Sequence, residues 1–359
     1  MSLLNPFERR SSITPNNYYP FTIQNGSVVP NSLVDATQAL KNSDLYAVTS
    51  LISADIAGAS FTGNTIFSNL LNNPSKLTNS FSFWQSSILN LLLNGNVFLA
   101  VLKDEKGVCS GLRLIPSNAI TIDLTNDVLT YEVNQFDDYP SAIYEDGEMI
   151  HAKIMPYGVD TLHNLVGHSP LESLTSEVGQ QEEANRLSLS TLKGALNPTS
   201  LIKIPQGTLS QEAKESIRAE FEKSNGGKNS GRVMVLDQSA DFSTVSINAD
   251  IANYLKSMDW GRTQIAKAFG VSDSYLNGTG DQQSSLGQIK DLYVNALNRF
   301  IEPLVSELRK KLDQSIGVDM SSITDYSNST FKADIVSFVK EGILSPGEAK
   351  DLLTKKGVI

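Results

Sequence analysis

Few residues in this 359-residue chain could carry group-transfer or metal chemistry: three histidines, one cysteine and some scattered serines. His151, His163 and His168 contain no pair at the four-residue spacing of a helical metal motif. With Cys109 they make no zinc-type ligand set. The run Gly167-His168-Ser169-Pro170-Leu171 approaches a nucleophile elbow but carries leucine where the second glycine belongs. A serine that caps a helix before proline also has a structural task. The Gly-Lys pair at Gly227-Lys228 would need a glycine at the position of Glu222 and a hydroxyl residue next, so it is no phosphate loop. Carboxylates are many but cannot be paired across a site. The expectation is a chain with no catalytic residue, no metal and no cofactor.

The elements around these residues are better defined than any chemistry. Asp250 to Gly270 places Tyr254, Met258, Ile265 and Phe269 on one apolar helical face, with Trp260 at its edge. Asp250 can open that helix and Gly270 can close it. A loop rich in Gly, Asn, Gln and Ser follows. A longer amphipathic helix then runs from Leu286 past Leu312, with Pro303 predicted to kink it.

The first 42 residues are rich in Ser, Asn and Pro and read as a flexible arm. A helix capped by Ser43 or Asp44 follows, with Val48, Leu51, Ile52 and Ile56 on one face. Another runs from Ser80 to Asn94-Gly95. Between Asn96 and Met155, short β-branched runs separated by turn signals predict an antiparallel meander. Ser169, Pro170 and Glu172 spell a capping box for a helix to about Gly194, and Leu201–Pro205 is expected to return to the sheet. Thr208 to Ser224 forms a helix with a thin stripe of Ala213, Ile217 and Phe221. Two strands follow, one with Arg232, Met234 and Asp237 in or beside it and one with Phe242. Two short helices end the chain.

The formal charge is −10, which speaks against a protein built to grip nucleic acid. Between Thr208 and Asp313 stand thirteen Lys/Arg and fourteen Asp/Glu, so the acidic excess lies elsewhere. The run Ile88–Leu102 is too short and too often broken by Asn and Gly to span a bilayer. The N-terminus lacks the order of a signal peptide. A protein neither secreted nor membrane-inserted is expected.

Six stretches, in order, resemble the portal proteins of tailed bacteriophages, in the compact form found in many long-tailed phages. They are Leu70–Val101, Leu112–Ile122, the Met149–Met155 strand with Gly167–Leu174, Val233–Gly278, Asn298–Leu312 and Gly342–Leu353. The resemblance implies an α+β portal-protein fold. It divides the chain into an arm (1–42), a wing (43–207), a first stem helix (208–226) and a clip hairpin (227–249). A second stem helix (250–270), a tunnel loop (271–285), a long helix (286–316) and a short helical crown (317–359) complete it.

The function implied is a ring-shaped channel of twelve copies at one capsid vertex. Double-stranded DNA passes through it, held weakly and without sequence preference. The large terminase, major capsid protein, scaffolding protein and head–tail adaptor are the implied partners. The virion portal vertex is the implied location, with the host cytoplasm during assembly. On this resemblance Tyr275, Asn277, Thr279, Gln282 and Gln283 face the DNA. Ile217, Phe221, Tyr254, Met258, Trp260 and Phe269 belong to the stem and subunit interface. Arg232, Met234, Asp237 and Phe242 form the docking clip. The alternatives are a ring-forming adaptor without portal function, or a hydrolase using the Ser169 region.

Overall fold

Asparagine side chains cap three of the described helices. Asn42 Oδ1 accepts the Asp44 and Leu45 amides, Asn64 Oδ1 accepts that of Ile66, and Asn79 Oδ1 accepts that of Ser82. The cap of the first long helix is therefore Asn42, one residue before the expected Ser43 and two before Asp44. The computed structural model describes residues 10–13, 21–24, 27–30, 39–136, 139–158, 160–196, 200–203, 210–212, 215–216, 219, 241–244, 250–272, 286–325 and 327–359.

Strands β1 (Arg10–Ile13), β2 (Phe21–Gln24) and β3 (Ser27–Pro30) come first. Helix α1 (Ser43–Ala57), β4 (Ser60–Thr62), α2 (Thr65–Asn72) and α3 (Ser80–Asn94) follow. Strands β5 (Asn96–Lys103), β6 (Cys109–Ile115), β7 (Ile120–Thr125), β8 (Val128–Val133), β9 (Ala142–Glu145) and β10 (Met149–Lys153) form the β region. Then come α4 (Thr175–Leu196), β11 (Ser200–Lys203), β12 (Asp241–Thr244), α5 (Asp250–Phe269) and α6 (Leu286–Lys311). The C-terminal part holds β13 (Gly317–Asp319), α7 (Ser321–Thr324), α8 (Ser329–Lys340) and α9 (Pro346–Lys355). Among the described residues no helix is long and apolar enough to cross a membrane.

The chain divides into two compact units, one of residues 1–175 and 264–359, the other of 176–263. The division falls near the start of α4.

In the first unit the expected meander is two antiparallel sheets. One has the order β1-β7-β8-β9, the other β10-β5-β6. Their facing residues Phe98, Ala100, Ile115, Ile120, Ile122, Tyr131, Val133 and Met149 make one buried cluster. Part of the N-terminal arm joins the first sheet, with Arg10 to Ile13 paired to Thr125 to Ile122. On the helical side, Leu45, Val48, Ile52 and Ile56 of α1 are buried, as are Ile88, Leu91 and Leu92 of α3. The α6 stripe of Tyr293, Leu297, Phe300, Leu304 and Leu308 is buried with them. Their spacing is that of a helix face. Helix α6 packs on both α1 and α3 and along β10. Helix α2, which the periodicity had not resolved, is held by Trp84, whose Nε1 donates to the Leu71 carbonyl at 2.8 Å.

In the second unit, α4 buries Val178, Gln181 and Ala184 at helical spacing. Gly261 of α5 faces Gln181 so closely that a Cβ would stand 2.7 Å from Nε2. A side chain there would force the buried Gln181 side chain to shift. Strand β11 pairs with β12, Ile202 opposite Phe242. This corrects the expectation that Leu201–Pro205 returns to the wing sheet: its partner is a strand of the expected clip.

Candidate functional site

The segment expected to face DNA falls in sequence between α5 and α6, so the described site is the end of one helix and the anchoring of the other. Helix α5 ends in a complete left-handed cap. Gly270 has φ 71°, its amide donates to Lys267 O at 3.0 Å, and the Val271 amide donates to Ala266 O at 2.9 Å. Buried Val271 beside Ile265 and Ala266 supplies the apolar contact of that motif. A Cβ on Gly270 would also stand 2.6 Å from the Arg299 guanidinium of α6. Val271 and Ser272 thus leave α5 in a fixed direction.

Helix α6 is anchored along its length. Near its start, Tyr293 donates its hydroxyl to Asp55 Oδ2 of α1 at 2.5 Å. Burial raises the Asp55 carboxyl pKa, against the opposing effect of that bond. At the other end Lys311 is an ionic hub with only 2% of its side chain exposed. Its Nζ lies 3.0 Å from Asp146 and 3.1 Å from Glu307, donates to the Met149 carbonyl and stands 5.8 Å from the Tyr131 ring centroid. The Glu307 contact is ionic without hydrogen-bond geometry, since its buried Oε2 has no hydrogen-bond partner. Burial alone would raise the Asp146 pKa, but Lys311 and Lys310 outweigh it and hold the carboxyl below its usual range. Lys153 nearby is pushed down by burial and by the two lysines.

A second polar cluster locks the β5–β10 end of the sheet to the segment before α4. Asn96 Oδ1 accepts the Gly167 amide at 2.8 Å and Nδ2 donates to the Gly167 carbonyl at 2.9 Å. These two bonds orient the carboxamide. His151 Nε2 must then donate to Oδ1 at 3.2 Å, and Nδ1 accepts the Tyr131 hydroxyl at 3.3 Å. The imidazole is neutral, stacked on Phe98 at 4.2 Å, and its pKa is held well below the ordinary value by burial and by Lys153 and Lys311. The Tyr131 hydroxyl pKa is raised, chiefly by burial.

Ser169, the one nucleophile candidate, is committed. Its Oγ donates to Leu92 O at 2.6 Å and accepts the Leu171 amide at 3.0 Å. The His168 ring bonds Glu172 and the Tyr157 carbonyl rather than Ser169. Among the described residues no group of three His, Cys, Asp or Glu could hold a metal ion.

The DNA-facing residues Tyr275, Asn277, Thr279, Gln282 and Gln283 lie outside the described residues, as do Ile217, Phe221, Arg232, Met234 and Asp237. Tyr254 and Met258 lie on α5 and Phe242 on β12. Trp260 is 48% exposed in the second unit, whereas Phe269 is fully buried in the first. Phe269 therefore belongs to the core that roots the helix. Sequence reasoning missed Lys311, Asp146, Asn96 and Gln181. Lys311 stands among the basic residues of the last turn of α6, and Asp146 stands beside Gly147 in a turn, so neither residue's local setting announces a buried ion pair.

Two antiparallel sheets and a long anchored helix in one unit, with helices and a strand pair in the other, make an α+β chain of two units. The chain belongs to the phage portal protein family, whose description matches residues 43–353. A probable portal protein of Streptomyces phage phiC31 is 29% identical over 55% of this chain and 44% of its own length. An uncharacterised protein of Rickettsia bellii is 23% identical over 72% of this chain and 69% of its own. Among solved structures, a chain from the neck of a native gene transfer agent particle, computed with C12 symmetry, is 20% identical with a TM-score of 0.62. It covers 89% of this chain and 93% of its own. An HK97-family portal protein from Corynebacterium diphtheriae has a TM-score of 0.55 at 16% identity, covering 83% of this chain and 99% of its own. The α+β portal fold expected from the sequence is present.

Proposed function

We propose that the chain assembles into a closed ring of identical subunits, twelve expected, at one vertex of a phage-type capsid. Double-stranded DNA passes through the ring during packaging and ejection. The observation that carries this reading is the family match from residue 43 to residue 353, which spans both units. The neck particle's C12 symmetry supports the copy number for that relative, and we extend it here. Identical subunits in a ring meet through two different faces, head to tail. The second unit is read as stem and clip, where a large terminase and head–tail adaptors dock. The wing faces the capsid and scaffolding proteins. The loop of residues 271–285 is read as the DNA collar.

The role is mechanical: ATP hydrolysis falls to the terminase, and the engaged Ser169 hydroxyl supports a structural use of that segment. Assembly takes place in the host cytoplasm, and the mature ring resides in the virion. Mass by light scattering, with images down the symmetry axis, tests the reading. A ring with a central channel is expected. A well-folded monomer at every concentration and salt condition would sink it.

A further inference from the structure

A groove of about 780 Å³ runs along the outer side of β6 in the first unit. β6 is the edge strand of its sheet. The Leu112 amide donates outward, to the Pro74 carbonyl at 2.7 Å, instead of to β5. By the two-residue alternation of an antiparallel ladder, Leu114 also turns its N–H and C=O outward. Leu114 lines the groove, and neither backbone group has a bonded partner among the described residues. An edge of this kind accepts an extended segment as an added strand.

The rim carries a charge preference. Lys76 and Arg113 line the groove, and no described lining residue is acidic, although the chain as a whole carries −10. The Arg113 guanidinium lies over the Tyr139 ring, 4.8 Å from its centroid, and both residues line the groove. Neither cation has a carboxylate partner among the described residues. Five Ser and Thr hydroxyls add donors, and Phe83 and Leu112 add an apolar floor. Exposed Leu77 extends the apolar surface at one end. A guanidinium in a groove favours carboxylate ligands through charge-assisted hydrogen bonds.

We propose that this groove docks an extended acidic peptide segment of a partner protein, which adds to the β6 edge at Leu114. Its carboxylates meet Lys76 and Arg113, and its alternate apolar side chains enter the floor. The proposal does not depend on the ring reading, because the groove lies within one unit of one subunit.

The test uses the full-length protein and two fluorescent hexapeptides, one alternating glutamate with valine and the other lysine with valine. The acidic probe should bind and the basic probe should not, with affinity falling as salt rises. Lys76→Glu, on an exposed loop, should weaken acidic-probe binding without altering the fold. Lys76→Glu with Arg113→Glu should weaken it by about tenfold or more. Circular dichroism checks that each variant is folded. Equal binding of the two probes, or acidic-probe binding unchanged by Lys76→Glu, would overturn the proposal.

Asp137 and Asp138 stand between Phe136 and Tyr139 in the sequence and lie outside the described residues. If the native protein binds nothing and Asp137→Asn with Asp138→Asn binds the acidic probe, the groove is filled by its own chain and the partner reading fails. If native and variant both bind the acidic probe alike, it stands; if neither binds it, the proposal fails.

Discussion

Asn96 shows how much one side chain can decide. Its carboxamide makes both bonds to Gly167 and accepts from His151, so it joins a strand end to a loop across 71 positions of sequence. Asn96→Ala leaves Gly167 and His151 without these partners and should cost about 1–3 kcal/mol, read from urea midpoints. His151 gives a pH prediction. Its folded pKa is depressed, so the unfolded chain takes up a proton below the ordinary value of 6.5 that the folded ring refuses. Stability should therefore fall as pH drops below 6.5, by about 1.4 kcal/mol per pH unit while the ring stays neutral in the fold. His168 acts the other way. Burial pulls its pKa down, but Glu172 and the Tyr157 carbonyl raise it overall. Its small contribution is present below 6.5 and is lost as pH rises through the raised value. Comparing His151→Gln with the native protein between pH 7.5 and about 5.5 isolates the first effect. An unchanged pH slope would reject it.

Helices α5 and α6 share apolar burial and differ in what fixes their ends. α5 is rooted by apolar burial and by its Gly270 cap, α6 by apolar burial and a buried cation. Phe269 has no exposed surface, so Phe269→Ala should cost about 3–5 kcal/mol. A fully stable variant would mean that the site collapses around the change. Lys311→Met strips Asp146 and Glu307 of their shared partner. It should destabilise by about 3 kcal/mol, the low end for a broken buried pair, because Asp146 is 37% exposed. Adding Glu307→Gln should recover part of that loss, which a double-mutant cycle would read. Strict additivity of the two changes would show that the contact carries no coupling.

For the assembled protein, the test of function is the loop between these roots. Residues Ser272 to Ser285 include no Lys or Arg. DNA that must slide is poorly served by cations, since each phosphate neutralised adds salt-dependent affinity. Replacing Asn277, Gln282 and Gln283 by lysine should leave rings of normal size and slow DNA passage, with relief by added salt. Deleting Asn277 to Gln283 should likewise spare the ring and reduce packaged or retained DNA. Normal packaging at low salt by the lysine variant would mean that this loop does not meet DNA. The channel lining would then have to be sought elsewhere, first along α6.

What the sequence determined by itself was local or periodic. The Ser169 capping box, the glycine stops at Gly95 and Gly270 and the amphipathic face of α6 stand where spacing predicted them. Each depends on residues within a turn or two of one another. The family was legible too, because six short stretches in order are a pattern no single turn could supply. Tertiary structure alone decided the pairings. That β11 takes β12, that β6 is left as an open edge, and that Tyr293 finds Asp55 from 238 positions away could not be read from spacing. Neither could the use of Lys311 as a buried hub. A lysine at a helix end is usually solvated, and only the fold brought Asp146, Glu307 and the Met149 carbonyl to meet it. Burial and charge pairing are properties of neighbours in space, and local spacing does not name neighbours that lie far away along the chain.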